Sequence, residues 1–540
     1  MSYSAHADTF ARDNLPPRGQ WPEFLFELPE LKYPGRLNCA AVLLDKPVTR
    51  GHGHRVALRT ADGEYTYTQL FTQANRLANV LAREMGLKPG NRVLLRGPNN
   101  PMMAACWFAV MKAGGVCVAT MPLLRAKELT DIITKAEVTH ALCDKRLAAE
   151  LQAAMGNCPS LTHVKYWHDD SPDSLDSLAM KQPLWFTNVA TAADDVALIA
   201  FTSGTTGKPK GTMHFHRDVV AMCDCFPRSV LKAHKDDVFC GTPPLAFTFG
   251  LGGMLCFPLR VGASSVLAEK HTAETLLETV QRFRATVCFA APVMYRAMAP
   301  LAKDFSLSSL KTCVSAGEAL PDATRQLFKE ATGIEIIDGI GSTEMIHIFI
   351  SHTPQRVRRG ATGYAIPGYQ ATVLDEDRKV CPPGKVGRLA VKGPTGCRYL
   401  ADERQRDYVI TEGEMRGWNV TGDAYIMDGD GYFFYQARTD DMIISAGYNI
   451  AGPEVEGALL AHPAVAECGV VGAPDAARGT IVKAFVVLKK EFSKGDETAK
   501  ALQQHVKKVI APYKYPRAIE FVDALPRTET GKLQRFKLRG

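Results

Sequence analysis

The sequence lacks the features that mark a secreted, membrane-spanning or nucleic-acid-binding protein. No run of about 18 apolar residues is present, and the most apolar segment, 104–121, contains Lys112 and two glycines. The first 13 residues include Asp8, Arg12 and Asp13 without an apolar run, which is unlike a signal peptide. No dense run of lysine and arginine accompanies the formal net charge of +7. We therefore expect a cytoplasmic protein with no membrane span and no nucleic-acid partner.

The cysteines do not form a metal-binding or disulfide framework. All 14 are scattered along the chain, and the closest pair, Cys223 and Cys225, has no second pair to complete a zinc spacing. We expect reduced thiols. Internal repeats and low-complexity segments are absent too, and a composition of 46% hydrophobic and 22% charged residues is typical of a globular protein. Because 540 residues exceed one compact core, we expect at least two domains.

Helical and strand periods alternate from residue 65 onward. The pattern predicts helices over 67–85, 102–112, 129–135, 274–284 and 320–332, and strands over 92–95, 116–120, near 141 and over 286–289. Helices that alternate with short apolar strands are typical of parallel sheets covered by helices.

The pattern changes after a charged patch at 438–441. A helix opened by Pro453, strands at Val470 and 484–488, and a helix over 498–510 indicate a small α+β domain. We therefore expect an N-terminal domain over 1–437, a hinge over 438–441 and a C-terminal domain over 442–540.

The segment 202–211, Thr-Ser-Gly-Thr-Thr-Gly-Lys-Pro-Lys-Gly, follows the apolar strand 196–201 and has the chemistry of a phosphate-binding loop. Its glycines let main-chain N–H groups turn toward an anion, while its hydroxyls and lysines add donors and charge. A Walker A loop is excluded, because that pattern needs Ser or Thr where Pro209 follows Lys208. The alternative is a polar surface turn.

This loop resembles the phosphate loop of the adenylate-forming superfamily, which includes acyl-CoA synthetases, luciferases and the adenylation domains of peptide synthetases. The resemblance implies an α/β fold. A large N-terminal domain of helix-covered sheets would carry a small β-barrel-like subdomain, and a small α+β C-terminal domain would be mobile. It also implies that ATP and a carboxylic acid form an acyl-adenylate, whose acyl group passes to coenzyme A. The implied phosphate-binding residues are Thr202, Ser203, Gly204, Thr205, Thr206, Gly207 and Lys210.

The segment 338–344, Asp-Gly-Ile-Gly-Ser-Thr-Glu, resembles the second nucleotide motif of this superfamily. By resemblance, Thr343 contacts a phosphate and Glu344 helps to hold Mg²⁺, an ion that prefers oxygen ligands. Asp338 and Gly339 belong to the same nucleotide site. Without the resemblance, Glu344 would be interpreted as an acidic residue at the start of a helix.

Further motifs match the nucleotide site in chain order. The turn 315–318 looks like the adenine-side turn and supplies Gly317 and Glu318. Asp423 matches the carboxylate that accepts hydrogen bonds from the ribose hydroxyls. Arg438 matches the arginine near ribose and phosphate, and Asp440 falls on the hinge.

Two positions carry the family's two half-reactions. Lys532 matches the mobile catalytic lysine, whose ammonium stabilises the charge that develops at the α-phosphate. From charge alone, Lys532 would be a solvated lysine beside other basic residues of the tail. Gly447 matches the position in the thiol tunnel where a side chain would block the pantetheine arm.

The segment 244–253 resembles the family's acyl-pocket motif, with Phe247 at the gate, Phe249 and Gly250 in the wall and Ala291 opposite. Phenylalanines and small residues suit a flat ring, although core packing would need the same residue types.

The run 338–347 resembles benzoate-CoA ligases, which place a histidine near the ring where His347 stands but carry tyrosine at the position of Phe249. The N-terminal segments 9–17 and 21–22 resemble the 2-aminobenzoate-CoA ligase branch. We therefore expect 2-aminobenzoate or benzoate as the acid. The alternatives are a medium-chain acyl-CoA synthetase, transfer to a carrier protein, luciferase-type oxidation and a nucleotide-binding regulator without catalysis. A monomer and a homodimer are both compatible with the sequence.

Overall fold

The structure is a computed structural model that describes residues 3–202, 209–439, 441–445, 448–475, 479–528 and 532–539. Within these ranges the backbone forms strands β1 (Val56–Thr60), β2 (Gly63–Thr66), β3 (Arg92–Arg96), β4 (Val116–Thr120), β5 (His140–Asp144), β6 (His163–Trp167), β7 (Val196–Thr202), β8 (Lys210–Phe215), β9 (Val238–Gly241), β10 (Ser264–Val266), β11 (Val287–Ala290), β12 (Thr312–Ser315), β13 (Ile336–Gly341), β14 (Ile348–Ser351), β15 (Tyr364–Ala365), β16 (Gln370–Leu374), β17 (Val386–Lys392), β18 (Asn419–Met427), β19 (Phe433–Arg438), β20 (Ile443–Ser445), β21 (Tyr448–Ile450), β22 (Val465–Asp475), β23 (Gly479–Leu488) and β24 (Ala518–Phe521).

The same ranges contain α-helices α1 (Phe10–Asp13), α2 (Tyr67–Asn79), α3 (Pro101–Lys112), α4 (Ala126–Lys135), α5 (Ala148–Met155), α6 (Leu175–Met180), α7 (His216–Phe226), α8 (Thr248–Gly250), α9 (Phe257–Val261), α10 (Ala273–Phe283), α11 (Pro292–Met298), α12 (Asp322–Thr332), α13 (Gln405–Tyr408), α14 (Gly452–Leu460) and α15 (Asp496–Val509). The helix predicted over 67–85 is α2 followed by a π-helical turn, Val80–Glu84.

Two large, mostly parallel sheets form the N-terminal domain. A nine-stranded sheet has the order β15-β14-β13-β12-β11-β9-β10-β1-β2, and its strands run parallel from β13 to β1. A six-stranded sheet has the order β6-β5-β3-β4-β7-β8, with only β8 antiparallel to its neighbour. The predicted parallel sheets covered by helices are therefore confirmed.

Apolar strands are buried on both faces, which explains their lack of alternation in the sequence. In β3, Val93 and Leu95 join the core between the two sheets, while Leu94 packs into the core on the outer face. Helices α2, α3 and α7 contribute to the core between the sheets, and α3 is buried over almost its whole surface, as expected for a helix with apolar residues all round. Parallel strands covered on both sides have this continuous apolar character.

The remaining sheets are small. Strands β16 to β19 form a separate antiparallel four-stranded sheet of the N-terminal domain, for which the resemblance implied a small β-barrel-like subdomain, and β20 pairs with β21. The small C-terminal domain contains the sheet β22-β23-β24, whose core includes apolar residues of α14 and α15. The helix predicted from Pro453 is α14, and the helix predicted over 498–510 is α15. Across the described ranges, every helix is too short or too polar to cross a membrane.

The topology brings the predicted site segments to one edge of the nine-stranded sheet. Strands β9, β11, β12 and β13 are parallel neighbours, so their carboxyl ends lie side by side. The segments after these ends carry, in turn, the predicted acyl-pocket motif, Ala291, the turn 315–318 and the motif 338–344. This edge is where ligands of parallel α/β sheets bind.

A buried ion pair ties α7 to the chain after β17. Asp218 and Arg398 are both fully buried and joined by a hydrogen bond from the guanidinium. Burial raises the pKa of the Asp218 carboxyl, but the Arg398 charge acts together with His214 and the Arg217 charge to hold the pKa below its usual value. The guanidinium also lies 3.9 Å from the ring centroid of Phe215. The two charges are stable at this depth because they face each other.

We expect Asp218→Asn to lower the free energy of unfolding by about 3–5 kcal/mol, because it leaves the Arg398 charge buried without a counter-charge. Urea unfolding of the purified protein measures this change. The matched control is Asp236→Asn, which removes an exposed partner of Arg55 and should change stability by less than about 1 kcal/mol. Similar effects of the two substitutions would contradict a stabilising role for the buried pair.

Candidate active site

Glu344 is a buried carboxylate held by a tyrosine. The hydroxyl of Tyr399 donates to Glu344 Oε1 at 2.6 Å and accepts from Lys210 Nζ at 3.1 Å. Burial, and then the nearby Cys397 and Glu344, raise the pKa of Tyr399 far above its usual value. The phenol therefore keeps its proton and acts as the hydrogen-bond donor to Glu344. A continuous chain of hydrogen bonds thus connects the strand after the predicted phosphate loop to the predicted metal ligand.

Tyr399 is placed by main-chain pairing. Met213 N donates to Arg398 O at 2.7 Å and Leu400 N donates to Gly211 O at 2.8 Å, so the segment 398–400 runs beside β8. The buried guanidinium of Arg398 also holds this segment against β8, since its Nε donates to Met213 O at 3.2 Å. The position of the tyrosine therefore depends on the ion pair described above.

The turn from Thr343 to His347 is strained. Ile346 has a φ of +65°, which is unfavourable for a β-branched residue. Such a conformation costs about 1–3 kcal/mol and persists only where the surroundings determine it. His214 Nε2 donates to Thr343 O at 2.8 Å on one side of the turn. Glu344 lies in this turn and not at the start of a helix, so the alternative interpretation of that residue is wrong.

Two further acids of the predicted nucleotide site, Asp338 and Asp423, are buried. Burial raises the pKa of Asp338 to about 8, against a hydrogen bond from the main-chain N–H of Gly339. A carboxyl that is protonated near neutral pH can donate as well as accept a hydrogen bond. Burial likewise raises the pKa of Asp423, although the Arg438 charge opposes the shift.

Asp423 and Arg438 face each other across β18 and β19, where they form a register pair. Arg438 Nη1 lies 3.5 Å from Asp423 Oδ1. A β-carbon at Gly422 would lie 2.5 Å from Arg438 Nη2, so a side chain there would displace the guanidinium. The predicted ribose-side residues are therefore brought together by strand pairing.

The Lys532 segment reaches this edge from the C-terminal domain. A β-carbon at Gly317, whose φ is +93°, would lie 3.5 Å from Lys532 Cε. Leu533 N donates to Glu318 Oε1 at 2.8 Å, and Arg527 Nη1 lies 3.6 Å from the same oxygen. The predicted catalytic lysine thus lies against the predicted adenine-side turn.

The electrostatic surroundings of Lys532 come from both domains. Desolvation by the surrounding protein lowers the pKa of Lys532, and the positive charge of Arg438 acts in the same direction. The carboxylates of Glu318, Asp423 and Glu344 oppose these effects and favour the charged ammonium. Three of the predicted acidic positions therefore act on one lysine.

An aromatic cluster lies beside the strained turn. The ring centroid of Phe249 is 5.7 Å from that of His347 and 5.6 Å from that of Phe289, and the centroid of Phe257 is 4.5 Å from His347. Burial lowers the pKa of His347 to about 3, so the imidazole is neutral. Its Nε2 lies 3.4 Å from Phe249 O, and its buried Nδ1 has no hydrogen-bond partner among the described residues.

Glycines allow the helix of the predicted acyl-pocket motif to approach these rings. The helix continues from α8 through a π-helical segment, Leu251–Cys256, into α9. A β-carbon at Gly252 would lie 2.4 Å from His347 Cδ2, and one at Gly253 would lie 2.7 Å from Phe289 Cδ1. At Gly250 it would lie 2.0 Å from Pro244 O, so the motif folds tightly back on itself.

An asparagine in the loop between β3 and α3 holds the start of this motif. Asn99 Nδ2 donates to Pro243 O at 3.0 Å, and Asn99 Oδ1 accepts from Leu245 N at 2.7 Å. Phe247 follows two residues later and donates its N–H to Pro244 O at 3.0 Å. Ala291, at the other predicted wall, precedes the first residue of α11.

Several predicted positions lie outside the described residues, namely Ser203, Gly204, Thr205, Thr206, Gly207, Asp440 and Gly447. Sequence reasoning did not find Tyr399 or Asn99. Each contacts partners more than 50 residues away, and neither stands in a segment with a recognisable pattern. The only local signal is the pair Asn99-Asn100 before α3, where Asn100 caps the helix by accepting from Met103 N.

Comparisons with known proteins agree with this geometry. The family model for the AMP-binding enzyme matches residues 46–399, and the model for the AMP-binding enzyme C-terminal domain matches 454–532. The benzoate–CoA ligase of Thauera aromatica is 35% identical over 95% of this chain and 97% of its own. The human acyl-coenzyme A synthetase ACSM5 is 33% identical over 89% of this chain and 84% of its own.

A solved structure is also similar to this chain over nearly its full length. The anthranilate CoA ligase AuaEII in complex with anthranoyl-AMP superposes with a TM-score of 0.89 at 34% identity, covering 95% of this chain and 98% of that one. The two family models and these full-length similarities show that the chain belongs to the AMP-binding enzyme family and is an AMP-forming acid–CoA ligase.

Proposed function

We propose that this ligase activates an aromatic carboxylic acid, 2-aminobenzoate or benzoate, through an acyl-AMP intermediate. The observation that carries the proposal is the aromatic cluster around neutral His347, next to the turn that holds Glu344. Rings of this kind favour a flat aromatic substrate. Nδ1 of His347, which has no hydrogen-bond partner among the described residues, would be the acceptor for an amino group on the substrate ring. Similarity to ligases named for benzoate and anthranilate supports the same choice.

The first half-reaction would form the adenylate at the edge of the nine-stranded sheet. A carboxylate oxygen of the acid attacks the α-phosphorus of ATP, and the bond to the pyrophosphate oxygen breaks. Lys532 would stabilise the negative charge that develops on the α-phosphate. The fit of Mg²⁺ rests on Glu344, since Tyr399 binds only Oε1 of this carboxylate and Mg²⁺ prefers oxygen ligands shared with phosphates. When bound, the ion would neutralise charge on the leaving pyrophosphate.

The second half-reaction would use the thiol of coenzyme A. The sulfur attacks the acyl carbonyl carbon, the bond to the AMP oxygen breaks, and the thioester and AMP are released.

The proposed nucleotide-site residues are Thr202, Ser203, Gly204, Thr205, Thr206, Gly207, Lys210, Gly317, Glu318, Asp338, Gly339, Thr343, Asp423 and Arg438. We also propose a hinge at 438–441 around Asp440 and a cytoplasmic monomer or homodimer.

We expect Lys532→Ala to slow adenylation about 100- to 1,000-fold, because the developing charge loses its ammonium. ATP–pyrophosphate exchange measures this step, and thioester formation from synthetic acyl-AMP measures the other, which should be nearly unchanged. Lys537→Ala is the matched control, since Lys537 is an exposed lysine of the same segment. An equal loss in both half-reactions would rule out the proposed role of Lys532.

We expect Gly447→Leu to keep ATP–pyrophosphate exchange and to stop thioester formation, because the added side chain would fill the proposed thiol tunnel. Product analysis by mass spectrometry should detect acyl-AMP and no acyl-CoA. The control is Gly429→Leu, at a position where a β-carbon would meet no atom within 4 Å. Thioester release at the normal rate by the Gly447 variant would refute the tunnel assignment.

The choice of acid is tested by steady-state kinetics on substituted benzoates and straight-chain fatty acids. We expect the highest kcat/KM for 2-aminobenzoate or benzoate. His347→Phe should lower kcat/KM for 2-aminobenzoate about tenfold relative to benzoate, because the variant keeps a ring and loses the acceptor. A preference for aliphatic acids would instead support the alternative of a fatty acyl-CoA synthetase, which the similarity to ACSM5 also allows.

A further inference from the structure

Arg296 joins the two domains through main-chain atoms. It lies on α11 of the N-terminal domain, and its guanidinium reaches the C-terminal domain. Arg296 Nη2 lies 3.1 Å from Val465 O and 3.4 Å from Leu460 O, and Nε donates to Ala466 O at 3.1 Å. Within the described ranges, no carboxylate forms an ion pair with this arginine. Burial accordingly lowers the pKa of Arg296, although Cys468 and Glu467 oppose the shift.

The three acceptors occupy two structural elements. Leu460 is the last residue of α14, where helix carbonyls lack partners within the helix and carry partial negative charge. Val465 and Ala466 are the first residues of β22. A planar guanidinium that binds a helix end and a strand start together fixes the rotation of the small domain as well as its distance.

Strand β22 in turn supports the Lys532 segment. Glu467 follows Ala466 and accepts from Arg527 Nη2 at 2.9 Å. A β-carbon at Gly469 would lie 2.9 Å from the side chains of Leu533 and Leu538, so the strand packs closely under the residue next to Lys532. The Arg296 guanidinium and the segment that carries Lys532 therefore both contact strand β22.

We propose that Arg296 is a positioning residue that holds the C-terminal domain in the orientation required for adenylation. It acts through β22 on Lys532 and is placed away from the reacting atoms. This inference rests on the proposed role of Lys532. The carbonyl acceptors of Arg296 are neutral, so water can replace them as partners of the guanidinium without leaving a carboxylate unpaired. The contact can therefore be released before the second half-reaction.

The test compares Arg296→Ala with Arg296→Lys in the full-length enzyme. We expect Arg296→Ala to slow ATP–pyrophosphate exchange at least tenfold at saturating ATP and benzoate, while thioester formation from synthetic benzoyl-AMP stays within about twofold of wild type. Arg296→Lys should recover part of the exchange rate, because an ammonium can reach some of the carbonyls. Unequal effects on the half-reactions distinguish positioning from a general loss of structure.

The matched control is Arg282→Ala, because Arg282 is an exposed arginine of α10 whose Nη2 donates to Ala61 O at 2.8 Å within the N-terminal domain. It should change neither half-reaction. Unchanged exchange in Arg296→Ala, or equal losses in both half-reactions, would overturn the inference. If thermal unfolding shows that Arg296→Ala does not fold, the same comparison with Arg296→Lys decides. A wild-type enzyme without exchange for any acid would instead refute the proposed function itself.

Discussion

The parallel pairing of β9, β11, β12 and β13 is the constraint on which the candidate site depends. Parallel strands start at one edge and end at the other, so segments far apart in sequence leave the sheet side by side. This pairing makes four segments neighbours: the predicted acyl-pocket motif, Ala291, the turn at Gly317 and the strained turn at Glu344. Each intervening helix returns the chain to the opposite edge without disturbing this alignment.

Buried acids of the candidate site lie close to cations from both domains. Asp338 and Asp423 both have a raised pKa because of burial, and the Glu344 charge adds to the effect at Asp423. Carboxylates placed together at depth favour any cation that can approach them. Arg438 supplies one such charge from β19, and the Lys532 ammonium supplies another from the far domain. The carboxylates of Glu318, Asp423 and Glu344 therefore offset part of the desolvation that lowers the pKa of Lys532, before a nucleotide adds its own negative groups.

Local features of the sequence predicted the fold and missed the contacts that hold the site. The apolar run of β3 and the helical period of α2 follow from burial and appear within a few residues. Positions such as Glu344 and Lys532 were found because they stand in recognisable motifs. Tyr399, Asn99 and Arg296 were missed because their partners lie about 55 to 190 residues away or are main-chain carbonyls, which no side-chain pattern can mark.

The interactions differ in kind on the two sides of the domain boundary. Inside the N-terminal domain, Arg398 and Asp218 form a fully buried ion pair, and breaking it would leave an uncompensated charge in the core. Between the domains, the contacts of Glu318 with the N–H of Leu533 and with the half-buried Arg527 guanidinium, and of the Arg296 guanidinium with carbonyls, lie closer to solvent. Water can take the place of either partner in these contacts when the surfaces separate. A rigid frame with an exchangeable interface is what the proposed movement of Lys532 out of the site would require.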